Sequence, residues 1–339
     1  MPKVSQRAFS FRGGVRVQGT ILACDATSGS DLIFLSHAQA LDARGARLLP
    51  RPRAGKRQVL TTEATLALLG APGARLRPHA LTPAYGRPFA LGGLRLELFP
   101  SGYLPGAASV LCDLGGDRVV YAGPTAPATA QGNAALNVRT ARAVCVDGTF
   151  ARSLFRFPPV AQAVAEVLAR VQDAIGAGRA PVVLVRPLGP ALDVASALHA
   201  AGIAVRAHRQ VLAAATAIKA AGVAPPPLLR FAGRLPAREA LLWPPEAREA
   251  GLLGGLPAPL FILASGWACD PAVVDRLRAD VAVPLSNQGG FDDLLAYVRA
   301  TGATEVAIRH AVDDQLTQAL AEQGIDAYRV GPPQQILLF

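Results

Sequence analysis

From Val160 to Val330 the chain alternates apolar strand-like runs with amphipathic helical stretches, and glycine closes several of those helices. No other feature narrows the fold as much. The stretch 160–175 repeats apolar residues at helical spacing and stops at Gly176 and Gly178. Strand 182–185 follows, then helix 192–200, strand 203–206 and helix 211–220, closed by Gly222. Prolines at 225–227 and 244–245 punctuate a looser stretch. The alternation then resumes with strand 261–264, helix 272–278, strand 281–283, helix 291–300, strand 305–308, helix 314–323 and strand 326–330. Parallel strands need a crossover rather than a tight turn, so this spacing implies βαβ units and a parallel sheet.

The first 150 residues are richer in strands. Segments 15–25 and 32–36 read as strands, and 94–99 alternates apolar with polar residues as a half-buried strand does. Segments 109–114 and 118–122 flank Gly115-Gly116 as a hairpin, and 143–146 is a further strand. Thr62 caps a short helix with Glu63 in its first turn, and Gly70 ends it. The expected class is α/β. At 339 residues and 51% apolar, the chain can bury a core for two domains and is not disordered. No apolar run approaches the roughly 18 residues that cross a bilayer. The opening Met-Pro-Lys-Val-Ser-Gln-Arg lacks the apolar centre of a signal peptide, so a soluble, cytoplasmic protein is expected. Cys24, Cys112, Cys145 and Cys269 form no C-x-x-C pair and read as small core residues.

The segment Ser36-His37-Ala38-Gln39-Ala40-Leu41-Asp42 follows an apolar strand. It resembles the Ser-His-Ala-His-Ala-Asp-His metal-binding motif of the metallo-β-lactamase superfamily. His37 is kept, while Gln39, Leu41 and Asp42 stand where that motif has His, Asp and His. Further segments in the same order resemble the β-CASP branch, whose members cut or trim DNA and RNA, and within it the exonucleases associated with a DNA ligase. Asp25 matches an Asp ahead of the motif. Gly102-Tyr103-Leu104-Pro105-Gly106 resembles a Gly-His-x-x-Gly loop with Tyr103 in place of the His. Tyr121-Ala122-Gly123-Pro124 resembles Tyr-Thr-Gly-Asp with Pro124 in place of the bridging Asp. Asp147-Gly148-Thr149-Phe150 resembles Glu-x-Thr-Tyr. Ser265-Gly266-Trp267 resembles a segment of the ligase-associated group. Leu285-Ser286-Asn287-Gln288 resembles Leu-Ser-Asp-His with Gln288 in place of the His. His310 matches the final His.

The resemblance implies a metallo-β-lactamase αββα sandwich with an inserted β-CASP-like α/β domain. The expected division is 1–155, an insertion at 156–260, and 261–339 completing the first domain. It also implies an eroded metal centre. Two cations held roughly 3.5–4 Å apart activate water and clamp an in-line displacement, and Gln39, Leu41, Tyr103, Pro124 and Gln288 are poor or impossible ligands for them. The residual candidates are His37, Asp42, Asp147 and His310, which would take zinc or manganese if any metal binds. The expected function is a degenerate exonuclease relative that binds nucleic acid or a repair or processing partner, a ligase or helicase. The alternatives are an active one-metal or two-metal phosphodiesterase and a structural partner subunit without nucleic-acid binding.

Charge adds one candidate surface. The chain carries a formal +10, and three of its 34 basic residues are lysines, a bias that coding composition alone can produce. Arg44, Arg47, Arg51, Arg53, Lys56 and Arg57 place six cations in fourteen residues, suited to the phosphate backbone of DNA or RNA. The segment contains no aromatic residue for base stacking. In Arg186-Pro187-Leu188-Gly189-Pro190, Pro190 replaces the cation of a phosphate-handling step in the family that the chain resembles, and it removes an amide donor. Ser36, Ser101 and Ser265 lie outside a G-x-S-x-G elbow, and Gly92-Gly93 and Gly115-Gly116 form neither a dinucleotide nor a P-loop fingerprint. His79, His199 and His208 lack partners at ligand spacing. Trp243 and Trp267 read as core or cleft-wall residues.

Overall fold

The structure, a computed structural model, describes residues 7–27, 30–40, 58–127, 133–248 and 252–332. It divides into two compact units. The first holds the described residues up to Pro127, Ala134–Ser153 and those from Phe291 onward; the second holds Leu154–Gly290 with Asn133. The expected division fell at 155/156 and 260/261. The observed return to the first unit lies some thirty residues later, at Phe291. The reason is strand pairing: Pro259–Ala264 pairs along its whole length with Ala180–Val185, and Val281–Val283 adds outside it.

In the first unit one sheet contains β1 (Phe9–Phe11), β2 (Val15–Val17), β3 (Leu22–Cys24), β4 (Leu32–Phe34), β5 (Gln58–Leu60) and β6 (Ala80–Leu81), in that order. The expected strand 15–25 is in fact two antiparallel strands, β2 and β3. The second sheet runs through β7 (Phe89–Leu91), β8 (Leu94–Pro100), β9 (Ala108–Leu114), β10 (Asp117–Gly123) and β11 (Ala143–Asp147). It is completed by β18 (Glu305–Arg309) and β19 (Asp326–Val330), which join beside β11. The Gly115-Gly116 hairpin forms as expected, with Asp117 opposite Leu114.

Alternating side chains point to opposite faces of a strand, and β10 uses both. Val119 and Tyr121 enter a core shared by the two sheets, with Leu22, Phe34, Leu98 and Cys145. Val120 and Ala122 face the other way, under α7 (Phe291–Thr301) and α8 (Gln315–Ala321). Ile33, Leu35 and Val59 on the outer face of the first sheet meet Leu66 of α1 (Glu63–Leu69) and Leu76 of α2 (Ala71–Leu76). The unit is therefore layered helix–sheet–sheet–helix. Each fully buried leucine or phenylalanine adds about 1.5–3 kcal/mol. Cys24, Cys112 and Cys145 belong to the shared core; Cys269 is half-buried.

The second unit is a six-stranded parallel sheet in the order β14 (Leu229–Arg230), β13 (Ala204–Ala207), β15 (Glu239–Trp243), β12 (Ala180–Val185), β16 (Pro259–Ala264), β17 (Val281–Val283). Helices α3 (Val160–Gly176), α4 (Pro190–Ala200) and α5 (Arg209–Ala220) cover one face through Val167, Val194, Leu198 and Val211. Leu235, Leu253, Leu256 and α6 (Pro271–Arg276) cover the other. The crossovers that leave β12 and β13 thus run over one face, and those that leave β15 and β16 over the opposite face. Among the described residues no helix is long and apolar enough to cross a membrane.

Candidate functional site

The described site residues expected in the first unit sit at the carboxyl ends of its strands. Strands β3, β4 and β5 are parallel, as are β10, β11, β18 and β19. Their ends gather the residues that follow them. At the centre is the buried carboxylate of Asp25, which accepts four hydrogen bonds. Its Oδ1 receives the Ser36 amide at 2.8 Å. Its Oδ2 receives the Ser36 hydroxyl at 2.7 Å, the Tyr121 phenol at 2.7 Å and the Arg309 guanidinium at 3.3 Å. Arg309 also donates to the Tyr121 oxygen at 2.7 Å. Burial, and next the Asp25 carboxylate, push the Tyr121 phenol well above its ordinary range, so it remains a donor.

This arrangement reaches His37. Its Nδ1 lies 2.7 Å from the Ser36 oxygen. With the Ser36 hydroxyl donating to Asp25, its oxygen is left to accept from His37 Nδ1, which orients the ring. The imidazole is nearly buried, and packs edge-to-face on Tyr103 with centroids 5.3 Å apart. Tyr103 in turn donates to Gln39 Oε1 at 2.7 Å. The loop that carries Tyr103 is anchored by the amino end of α1, where the Thr62 and Thr65 hydroxyls both donate to the Gly106 carbonyl. Thr62 caps that helix as expected, accepting from the Thr65 amide.

A second polar pair lies at the ends of β11 and β18. Asp147 pairs in register with Arg309, and Gly148 lets the two strand ends close up, since a Cβ there would sit 2.5 Å from Ile308 Cγ2. His310 Nδ1 lies 3.0 Å from Asp147 Oδ2, while the Thr149 amide and hydroxyl donate to Oδ1 at 2.9 and 2.6 Å. Burial acts to raise the Asp147 carboxyl. The bonds from His310 and Thr149 outweigh it and hold the carboxyl well below the usual range. A depressed carboxyl stabilises the fold above its unfolded value of about 4 and loses that contribution as pH falls toward the folded value. The stability gap between wild type and Asp147→Asn is therefore expected to be wide at pH 7 and to shrink in acid. Urea titrations at several pH values check this, and a pH-independent gap would refute it.

The structure thus brings His37, Gln39 and Tyr103 together, and separately pairs Asp147 with His310. Pro124 is buried after Gly123 and offers no donor atom. Gln288 belongs to the second unit, where its backbone amide donates to the Ser286 hydroxyl at 3.0 Å and its carbonyl accepts from that hydroxyl at 2.8 Å. Leu41, Asp42, Arg44, Arg47, Arg51, Arg53, Lys56 and Arg57 lie outside the described residues. No three His, Cys, Asp or Glu side chains converge among the described residues. With Gln39 and Tyr103 bonded to each other, those residues do not fit a two-cation centre. From sequence alone Ser36, Tyr121 and Arg309 have no role of their own, Ser36 and Tyr121 standing there only as neighbours in resembled motifs, because no spacing rule joins residues up to 284 positions apart. Asp25 and His310 both adopt positive φ, +47° and +63°, a conformation that asparagine, aspartate and histidine reach more readily than other side chains.

Fold and site together describe a mixed α/β protein with a buried polar centre at the strand ends of a helix–sheet–sheet–helix unit. No protein-family model matches the chain. The chain is similar to a protein of Opitutus terrae (strain DSM 11246 / JCM 15787 / PB90-1) described as "Probable DNA ligase", with 27% identity over 251 residues. The match covers 72% of this chain and 24% of that protein, so the chain spans about a quarter of its relative.

Proposed function

We propose that this chain is a catalytically degenerate relative of the metal-dependent exonucleases of the β-CASP branch, and that it binds DNA in association with a ligase. The observation that carries the reading is the 2.7 Å bond from Tyr103 to Gln39. Two positions that hold metal-binding histidines in the resembled motifs are here joined to each other, against an imidazole still oriented by Ser36 and Asp25. The layered first unit and the parallel second unit support an αββα sandwich with an inserted β-CASP-like domain. The similarity to a protein described as a ligase favours DNA over RNA.

Binding to single- and double-stranded oligonucleotides at increasing salt tests the DNA half. Affinity is expected to fall steeply with salt. Each phosphate contact removed by Arg51→Glu or Arg53→Glu should reduce the logarithmic slope on duplex by about 0.9. Absence of binding at low salt overturns this half. Elemental analysis after growth with zinc and manganese tests the other half, with far less than one equivalent expected. The ordered His37 ring and the Asp147–His310 pair favour a second reading, a one-metal phosphodiesterase using His37, Asp42, Asp147 and His310. A full equivalent of metal, lost in His37→Ala, would establish it in place of the first.

A further inference from the structure

The second unit holds a cavity of about 570 Å³ that lies outside the site above; Arg186, Ser265 and Trp267 of the resembled segments line part of it, and Glu246, Arg248 and Arg276 belong to none of those segments. The lining runs from the carboxyl ends of the central strands along the sheet face that α6 covers, to Arg248, which stacks on Phe261 in the first half of β16. Arg186 directly follows β12, Ser265 and Trp267 follow β16, and Arg248 lies just beyond β15. Strands β12 and β16 are neighbours whose crossovers leave over opposite faces. Between two such strand ends the outgoing segments diverge and leave a crevice, the place where open parallel sheets take ligands.

The lining has a definite chemical character. Leu263, Val273 and Leu277 supply apolar wall, and Trp267 supplies a large aromatic surface. The indole is held edge-to-face on Phe155, with centroids 5.3 Å apart, and its backbone amide is tied to the Ser265 hydroxyl. Three arginines, Arg186, Arg248 and Arg276, face one carboxylate, Glu246. The Arg248 guanidinium is already set in place, stacked 3.5 Å from the centre of the Phe261 ring. A fixed planar guanidinium loses little freedom when it takes an anion, and it matches phosphate oxygens in pairs. An adjoining hollow of about 480 Å³ shares Arg248 and Arg276 and adds Arg278, so the cationic wall continues past the cavity. The volume falls within the range of about 300–1,000 Å³ typical of small-molecule sites.

We propose that this cavity binds a nucleotide, its base on the Trp267 side and its terminal phosphates on Arg186, Arg248 and Arg276. The same chemistry is offered by a free nucleoside diphosphate and by the phosphorylated end of a DNA strand. The site does not depend on the DNA-binding reading above: a free nucleotide would occupy it in a protein that never touches DNA.

The chain contains a reporter for this test. It has two tryptophans. Trp243 is buried in the core, with its indole N–H bonded to the Ala247 carbonyl, while Trp267 lines the cavity. Titrating the full chain with ADP should quench tryptophan fluorescence. Trp267→Phe should abolish the quench while calorimetry still detects binding. Arg276→Ala and Arg186→Ala should each weaken ADP by about tenfold or more, the usual worth of one charged hydrogen bond, with circular dichroism unchanged. A 5′-phosphorylated oligonucleotide that binds where ADP does not, and loses affinity without its phosphate, would assign the site to a DNA end. Three results would overturn the proposal: no response to either probe at millimolar concentration, affinities unmoved in both arginine variants, or inorganic phosphate binding as tightly as ADP.

Discussion

Replacing Asp25 by alanine is expected to cost about 3–5 kcal/mol of unfolding free energy, the penalty for breaking a buried ion pair from one side. The change strips the Arg309 guanidinium of its carboxylate when that side chain is only 13% exposed. It also removes the acceptor of the Tyr121 phenol and of the Ser36 amide and hydroxyl. Asp25→Asn keeps the shape but not the charge and should be milder. Arg309→Met leaves the carboxylate uncompensated and should approach the cost of Asp25→Ala. The double variant Asp25→Asn/Arg309→Met should be less destabilised than the sum of its parts, because neither buried charge then remains. All five tyrosines lie in the first unit and both tryptophans in the second, so tyrosine signals follow the transition of interest. A cost below about 1 kcal/mol, ordinary for a surface change, would show that the network contributes little to stability.

Gly102→Ala is expected to be comparably damaging, for a steric reason. Gly102 has φ +79°, and a Cβ there would stand 2.4 Å from the Ala126 carbonyl oxygen. The left-handed conformation costs a non-glycine residue about 1–2 kcal/mol, and overpacking adds about 1–3 kcal/mol. Gly92→Ala is the control: φ is +61° but open space surrounds the position, so only the smaller conformational cost applies. Because Tyr103 is the next residue, the Gly102 variant should also loosen the bond to Gln39 and shift the NMR signals of the His37 ring. Equal destabilisation at Gly92 and Gly102 would contradict the close approach to Ala126.

The local signals of the sequence were strong where one helix or strand decides its own limits. The helix capped by Thr62 runs Glu63–Leu69 and ends at Gly70, as its cap and glycine require. Val281–Val283 and Asp326–Val330 fall where the apolar runs placed them. The largest omission is β15, Glu239–Trp243, a central strand of the second sheet. Prolines on both sides made that stretch look like a loop. A short apolar run buried on both faces also shows no alternation to reveal it. The short helix Ala71–Leu76 was hidden in the same way by its proline, which occupies the first turn. Motif order placed Asp25, His37, Asp147 and His310 near strand ends. It could not show that Arg309, rather than a cation from solution, neutralises the Asp25 carboxylate, since that contact joins opposite ends of the chain.

The route of the chain through its two units has a consequence for synthesis. β11 finds its parallel neighbour β18 only after the whole second unit has been made, and β1 is tied to the last strands through Ala8 to Glu305 and Phe9 to Tyr328. The second unit, continuous from Leu154 to Gly290, has all six of its strands as soon as that stretch leaves the ribosome. Domains fold as units during synthesis, so the segment translated later completes its sheet earlier. Meanwhile the strands of the first unit wait with the edge of β11 exposed, and this is the interval in which a nascent chain of this kind most needs a chaperone.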